Sequence, residues 1–152
     1  MKKGECMNSV LVAFGTESGN AEMAADDIAD ILGGRGVDVV VQSMEDVSSS
    51  VLLEYPTVVV LTSTYGEGDL PETTIPFFDV LNNEQPDLGK IRFFAFGLGD
   101  STYTNYNNAI NIISNKMVEL GATLGGEVGR HDAASGMSLT AVASDWICKV
   151  YP

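Results

Sequence analysis

The sequence predicts an α/β protein built on a doubly wound sheet of five parallel strands, with helices on both faces. Patterns typical of strands alternate along the chain with patterns typical of amphipathic helices, and the second, third and fourth strand segments are nearly continuous apolar runs. Parallel strands covered on both faces show such apolar runs. With 152 residues the chain is long enough for a sizeable core, so residues 1–152 are predicted to form one domain.

Four strands are predicted from clear patterns and a fifth from a weaker one. The runs rich in β-branched and aromatic residues are SVLVAF (9–14), VDVVV (37–41), TVVVL (57–61) and IRFFAFGL (91–98). The weaker candidate is ATLGGEV (122–128). Residues 1–7 precede the first strand and are expected to form a mobile N-terminal extension.

Helices are predicted where apolar residues recur every three or four positions. A shorter helix is expected over 75–81, a longer one closes at Gly121, and the last begins behind the N-cap Ser138. The stretch 42–55 predicts only an irregular segment or a short helix. The helix that follows the first strand has an apolar face made of Ala21, Ala24, Ala25, Ile28 and Leu32.

The charge balance is strongly acidic. Eight basic residues stand against 21 acidic ones, which gives a formal net charge of −13. Nucleic-acid binding requires clustered Lys and Arg, so this composition argues against it. The acidic excess suits association with a basic partner surface, and plain solubility explains it equally well.

The cysteines and the hydropathy bear on the compartment. Cys6 and Cys148 lie far apart and fit neither a disulfide framework nor the spacing of metal ligands, which indicates a reducing environment and no metal site. No apolar stretch has the length of a membrane span, and none follows the first lysines as in a signal peptide. A cytoplasmic protein without membrane contact is therefore expected.

The loop after the first strand, FGTESGNAE (14–22), predicts an anion site. In sheets of this class ligands bind beyond the carboxyl ends of the strands. Hydroxyl and amide side chains surround two glycines directly before a helix, and the N–H groups at a helix N-terminus attract anions. The loop has no Lys or Arg, so a phosphate would be held by neutral donors. Simple helix capping is the alternative interpretation.

The loops after the third and fourth strands, LTSTYGEGDLPETT (61–74) and GLGDSTYTNYNNA (97–109), share an unusual composition. Both contain glycines, hydroxyls, an acid and a tyrosine, at the edge where the first loop offers a phosphate site. A planar aromatic ligand that carries a phosphate would use all three loops, with two rings against its faces. The alternative is that the tyrosines only cap the core.

These three loops resemble the flavin mononucleotide (FMN) binding loops of flavodoxins, particularly those of diflavin reductases and of small MioC-type flavodoxins. The likeness covers nearly the whole chain. It implies a short-chain flavodoxin-like fold with strand order 2-1-3-4-5 and FMN as the cofactor. It also implies a low-potential electron-transfer protein that shuttles electrons between a reductase and an acceptor.

The resemblance assigns residues to each part of FMN. Those expected around the phosphate are Thr16, Glu17, Ser18, Gly19, Asn20 and Ala21. Contacts to the phosphate or the ribityl chain are implied for Ser63 and Thr64. The rings expected on the two faces of the isoalloxazine are Tyr65 and Tyr103.

The remaining assignments concern the edges of the ring. The segment that would pass the N5 edge is Gly66, Glu67 and Gly68. The pyrimidine end would be bordered by Leu98, Gly99 and Asp100, and the loop continues with Tyr106 and Asn107. Asp132 matches an acid of the reductases only loosely. The single histidine, His131, is expected in an exposed loop near this edge.

The resemblance further implies partners with basic surfaces, namely an NADPH-dependent flavodoxin or ferredoxin reductase and an electron acceptor, and a monomeric protein. No residue is required as a catalytic acid or base, which favours a carrier over an enzyme. Two alternatives stay open: an FMN-dependent oxidoreductase acting on small molecules such as quinones, and a partner-binding module that has lost flavin. The strand ends FGTESG and LTSTYG lack the aspartates of a phosphoacceptor domain.

Overall fold

A computed structural model describes residues 9–16, 19–64, 68–102, 105 and 107–152. The strands are Ser9–Gly15 (β1), Asp38–Ser43 (β2), Thr57–Ser63 (β3), Arg92–Gly99 (β4), Thr123–Leu124 (β5) and Gly129–Asp132 (β6). The helices are Asn20–Gly34 (α1), Ser49–Leu52 (α2), Ile75–Glu84 (α3), Asn108–Glu119 (α4) and Leu139–Val150 (α5). The predicted extension over residues 1–7 lies outside the described residues.

All strand pairs of the sheet are parallel, in the order β2-β1-β3-β4, with β5 and β6 both beside β4. One side of β4 is paired with β3 along its length, so β5 and β6 follow one another on its other side. They occupy the position of a single fifth strand. The predicted order 2-1-3-4-5 is therefore confirmed.

The bounds predicted for the fifth strand, 122–128, are wrong because this edge is interrupted. From Leu124 to Gly129 the edge advances five residues while β4 advances three, from Phe93 to Phe96. The Gly125 amide still donates to the Phe93 carbonyl at 2.7 Å. Beyond it the chain leaves the ladder, and the Glu127 carbonyl accepts a hydrogen bond from the Trp146 indole nitrogen at 2.9 Å. The Glu127 carbonyl is thus paired with a side chain of α5 instead of with a neighbouring strand.

The core has two halves, one on each face of the sheet. Alternate side chains of a strand point to opposite faces, so β1 sends Val10 and Val12 to one half and Leu11 and Ala13 to the other. The first half is covered by α1 and α5, and the second by α2, α3 and α4. Burial on both faces explains why the central strands β1, β3 and β4 are nearly all apolar.

The helix predictions are mostly confirmed. The five predicted apolar residues of α1 are fully buried, and the Ser138 hydroxyl accepts a hydrogen bond from the Ala141 amide at 3.3 Å. The irregular stretch resolves into a 3-10 turn, Met44–Asp46, followed by α2. Across the described part of the chain, no helix combines the length and apolarity that a membrane crossing needs.

A first prediction concerns the tight packing at β6. Gly129→Ala should destabilise the protein by about 1–3 kcal/mol, because overpacking forces its neighbours to shift. A Cβ atom there would lie 2.5 Å from a ring carbon of Phe96 and 2.6 Å from one of Trp146. Urea unfolding measures the change.

Gly33→Ala in α1 is the matched control. Nothing approaches within 4 Å of a Cβ at Gly33, and alanine is the better helix former by about 1 kcal/mol. This variant should be at least as stable as the parent. If Gly129→Ala unfolded at the same urea concentration as Gly33→Ala, the close approach of β6 to the two rings would be refuted.

Candidate functional site

The candidate site stands on a row of three small residues across the sheet. Gly15 of β1 pairs with Thr62 of β3, which pairs with Gly97 of β4. All three lie at the carboxyl ends of their strands, and they share the face covered by α3 and α4. Because these residues are small, they leave space above the sheet, and residues at the starts of α3 and α4 fill that space.

Thr74, the residue before α3, fills the space above Gly15. A Cβ atom on Gly15 would overlap the Thr74 hydroxyl, so only glycine fits there. Thr62 and Thr74 are both fully buried, and their hydroxyl oxygens are 2.8 Å apart. Thr62 Oγ1 donates to the Ser63 carbonyl at 2.9 Å, so the bond between the two threonines is donated by Thr74. These two consecutive hydrogen bonds fix the start of α3 against β3.

Gly97 likewise leaves the space that the start of α4 fills. A Cβ atom there would overlap the Ile110 side chain and lie 2.9 Å from Asn107 Oδ1. Asn107 is fully buried, has a left-handed backbone with φ 58°, and directly precedes α4. Neither polar atom of its carboxamide has a hydrogen-bond partner within the described structure. Buried amides are normally paired, so a polar ligand group is a fitting partner.

The phosphate-loop residues lie at the N-terminus of α1. Gly19 precedes the helix with a left-handed backbone, φ 93°, and its amide donates to Thr16 Oγ1 at 2.9 Å. Within the described residues, no side chain caps the first turn of α1. The exposed Asn20 begins the helix, whereas the Ala21 side chain is buried in the core, so only its backbone can face a ligand.

Thr73 links the phosphate loop to the loop after β3. Its hydroxyl oxygen accepts a hydrogen bond from the Thr16 amide at 2.8 Å and donates to the Thr16 carbonyl at 3.0 Å. The two residues are 57 positions apart in the sequence. One hydroxyl thus holds both polar groups of the Thr16 backbone.

The loops after β3 and β4 are joined by three further hydrogen bonds. The Thr64 amide donates to the Leu98 carbonyl at 3.0 Å, which extends the pairing of β3 with β4 by one step. Thr64 Oγ1 accepts from the Ala109 amide in the first turn of α4 at 3.0 Å. Asn108 Nδ2 donates to the Gly68 carbonyl at 2.9 Å. A hydroxyl that accepts a hydrogen bond can also donate one, so Thr64 has the chemistry of a donor for a ligand.

Two aspartates shape the loop after β4. Asp100 Oδ1 accepts from the Thr102 amide at 2.9 Å, and Asp132 Oδ1 at the end of β6 accepts from the Ser101 amide at 2.9 Å. The hydrogen bonds from the side chain and backbone of Ser101 lower the pKa of the Asp132 carboxyl, because they favour its charged form. Asp132 also caps the following 3-10 turn through the Ala134 amide.

His131 is not in a loop, contrary to the sequence-based expectation. It is the third residue of β6, where it pairs with Leu98. Its Nε2 atom is 2.8 Å from the Met137 carbonyl oxygen, which folds the segment after β6 back against the strand.

The structure brings the described candidate residues to one edge of the sheet. They lie in or directly after β1, β3 and β4, or at the starts of α1 and α4: Thr16, Gly19, Asn20, Ala21, Ser63, Thr64, Gly68, Leu98, Gly99, Asp100 and Asn107. The Leu98 side chain is packed in the core. The candidates outside the described residues are Glu17, Ser18, Tyr65, Gly66, Glu67, Tyr103 and Tyr106.

Sequence reasoning assigned no site role to Thr73, Thr74 or Asn108, and it left Asp132 without one. Each bonds a residue that is distant in the sequence, and periodicity carries no such signal. The hydroxyl pair in PETT, directly before a predicted helix, was a usable hint, because paired threonines there exceed what one N-cap needs.

The residues present fit FMN. Among the described residues, the start of α1 has no side-chain cap and lies near hydroxyls, which suits a phosphate, and the buried Asn107 amide has no partner. The loops 14–22, 61–74 and 97–109 contain no Lys or Arg, so every donor in them is neutral.

Comparisons with known proteins agree with this geometry. The model of the flavodoxin family matches residues 12–146. Flavodoxin YqcA of Pectobacterium carotovorum is 31% identical over 143 residues, which cover 93% of each chain. The crystal structure of oxidised Flavodoxin 2 from Bacillus cereus superposes with a TM-score of 0.82 at 31% identity, covering 92% of this chain and 95% of that one.

A longer relative is also similar. The alpha-component of the NADPH sulfite reductase flavoprotein from Mannheimia succiniciproducens is 31% identical over 115 residues, 75% of this chain. The match spans only 19% of that protein's length. Sequence, sheet order and three-dimensional similarity thus agree: the chain belongs to the flavodoxin family, whose members bind FMN and use it to transfer electrons.

Proposed function

We propose that this protein holds FMN across its three loops and carries electrons from an NADPH-dependent reductase to an acceptor protein. The observation that carries the proposal is the joining of the loops above the row Gly15, Thr62 and Gly97. Hydrogen bonds connect the described parts of all three loops at one edge of the sheet, and these connected parts are called the rim. FMN supplies the redox chemistry when bound, and the chain supplies its binding and surroundings.

The phosphate would be held at the start of α1. The first turn of α1 has no side-chain cap among the described residues, and the helix dipole favours negative charge at this end. Neutral donors leave the phosphate charge uncancelled. The surroundings of the flavin are therefore negative.

The isoalloxazine ring would lie between the loops that follow β3 and β4. The described ends of these loops are held at Thr64, Gly68 and Ser101 by hydrogen bonds to α4 and β6. Tyr65 and Tyr103 are the proposed stacking residues. In the sequence, each lies within one or two positions of a held residue.

The charge distribution supports a low reduction potential. Added electrons place negative charge on the flavin, and the three loops offer acids but no Lys or Arg to offset it. Asp100 lies at the proposed pyrimidine end, and the ionised Asp132 accepts a hydrogen bond from the neighbouring Ser101 amide. Both make reduction less favourable.

The partner is inferred from charge and from relatives. A net charge of −13 favours association with a basic protein surface, which raises encounter rates. The name of the sulfite reductase flavoprotein described above includes NADPH. The match to this chain covers 19% of that protein. We infer that an NADPH-dependent reductase delivers the electrons to a monomeric carrier.

The direct test of this function is FMN binding followed by reduction. The purified protein should take up one FMN per chain with quenching of flavin fluorescence, and NADPH should bleach the bound flavin only when a reductase is added. If the protein bound no FMN, the proposal would be refuted. Bleaching by NADPH alone would identify an oxidoreductase with its own nicotinamide site instead.

The stacking assignment has its own test. Tyr65→Ala and Tyr103→Ala should each weaken FMN binding at least severalfold, since a stacked aromatic pair contributes roughly 0.5–1.5 kcal/mol beyond its buried area. Tyr55→Ala is the matched control, because Tyr55 precedes β3 at the opposite edge of the sheet. Unchanged FMN affinity in both site variants would show that the sandwich is misplaced.

Partner recognition should depend on salt. The rate of electron transfer from a basic reductase should fall as ionic strength rises beyond about 0.1 M, where the Debye length is about 10 Å. The exposed acids Asp69 and Glu72 flank the proposed flavin edge. Asp69→Asn with Glu72→Gln should flatten the salt dependence, whereas Asp30→Asn on α1 should not. If the rate did not depend on salt, the acidic excess would serve solubility only.

A further inference from the structure

We propose that Thr73 is a positioning residue for the FMN phosphate, acting through the backbone of Thr16. The inference rests on the proposed FMN site, and neither the sequence motifs nor the family match assigns this residue a role. Thr73 is partly buried, and its hydroxyl group exchanges two hydrogen bonds with the Thr16 peptide groups at 2.8 and 3.0 Å.

The backbone of Thr73 is itself held in place. The Pro71 carbonyl accepts hydrogen bonds from the Thr74 amide at 2.9 Å and from the Ile75 amide at 3.0 Å, which closes a turn around Thr73. The next residue, Thr74, is fully buried against Gly15 and bonded to Thr62. The hydroxyl of Thr73 therefore projects from a rigid turn.

The effect of this hydroxyl reaches the anion position through Thr16. With its N–H and C=O both bonded to Thr73, Thr16 directs its own Oγ1 to the Gly19 amide at 2.9 Å. Thr16 and Gly19 flank the two-residue segment 17–18 that leads into α1. Fixing Thr16 relative to Gly19 reduces the ordering that phosphate binding at the start of α1 would otherwise require.

Loss of the hydroxyl should therefore weaken the recognition of phosphate in particular. Without the two bonds the free protein populates other loop conformations, and the apparent affinity falls by the fraction that remains competent. The isoalloxazine ring does not contact this loop in the proposed site, so its share of the affinity should be preserved. FMN and riboflavin, which differ only by the phosphate, separate the two contributions.

The experiment measures dissociation constants for FMN and riboflavin on the same folded proteins, by fluorescence quenching in phosphate-free buffer. Thr73→Val keeps the shape but removes the hydroxyl. This variant should lower the affinity for FMN about tenfold, which corresponds to about 1.4 kcal/mol. Its affinity for riboflavin should change less than threefold. Thr73→Ser keeps the hydroxyl and should restore FMN binding to within threefold of the parent. Thr123→Val in β5, at the opposite edge, should change neither affinity.

Two results would overturn the role of Thr73. One is an unchanged FMN affinity in Thr73→Val. The other is an equal loss of FMN and riboflavin affinity, which would mean that the hydroxyl serves general stability or the ring loop. If Thr73→Val fails to fold, Thr73→Ala provides the same comparison. A parent protein that binds neither flavin would instead refute the FMN site itself, so the two failures are distinguishable.

Discussion

The close approach of two helix starts to the sheet is the constraint on which the site depends. Gly15, Thr62 and Gly97 form one row across three strands, and any larger residue at either glycine would push Thr74 or Ile110 outward. The buried hydroxyl pair of Thr62 and Thr74 then fixes the height of α3 above the strands. Because the loops begin at this row, their positions follow from it.

The hydrogen bonds that join the loops are mostly neutral, and this has consequences for pH. Hydroxyls, amides and carbonyls keep their roles across the physiological range. Asp132 is the exception. Its pKa is lowered in the folded protein, so its contribution is present above the pKa of an ordinary aspartate and is lost as pH falls through the lowered value. The hydrogen bond from the Ser101 amide to Asp132 is thus expected to weaken below the pH at which an ordinary aspartate titrates.

Periodicity sufficed for the fold because strands buried on both faces must be apolar and helices must bury one stripe. It failed at β5 and β6, where the edge advances five residues from Leu124 to Gly129 while β4 advances only three. It also could not reveal Thr73, whose partner lies 57 positions away. Loop composition identified the edge that carries the site; which hydroxyl bonds which amide depends on helix height, and no local pattern encodes that.

Amide hydrogen exchange of the FMN-free protein tests most directly whether the rim is formed before the cofactor binds. The informative amides are those of Thr16, Ala109 and Ser101, which donate to Thr73, Thr64 and Asp132. Preformed loops predict that all three exchange at least about tenfold more slowly than an unstructured peptide, since each must open first. Exchange at the unstructured rate would contradict the account, because the loops would then be organised by FMN rather than by the sheet beneath them.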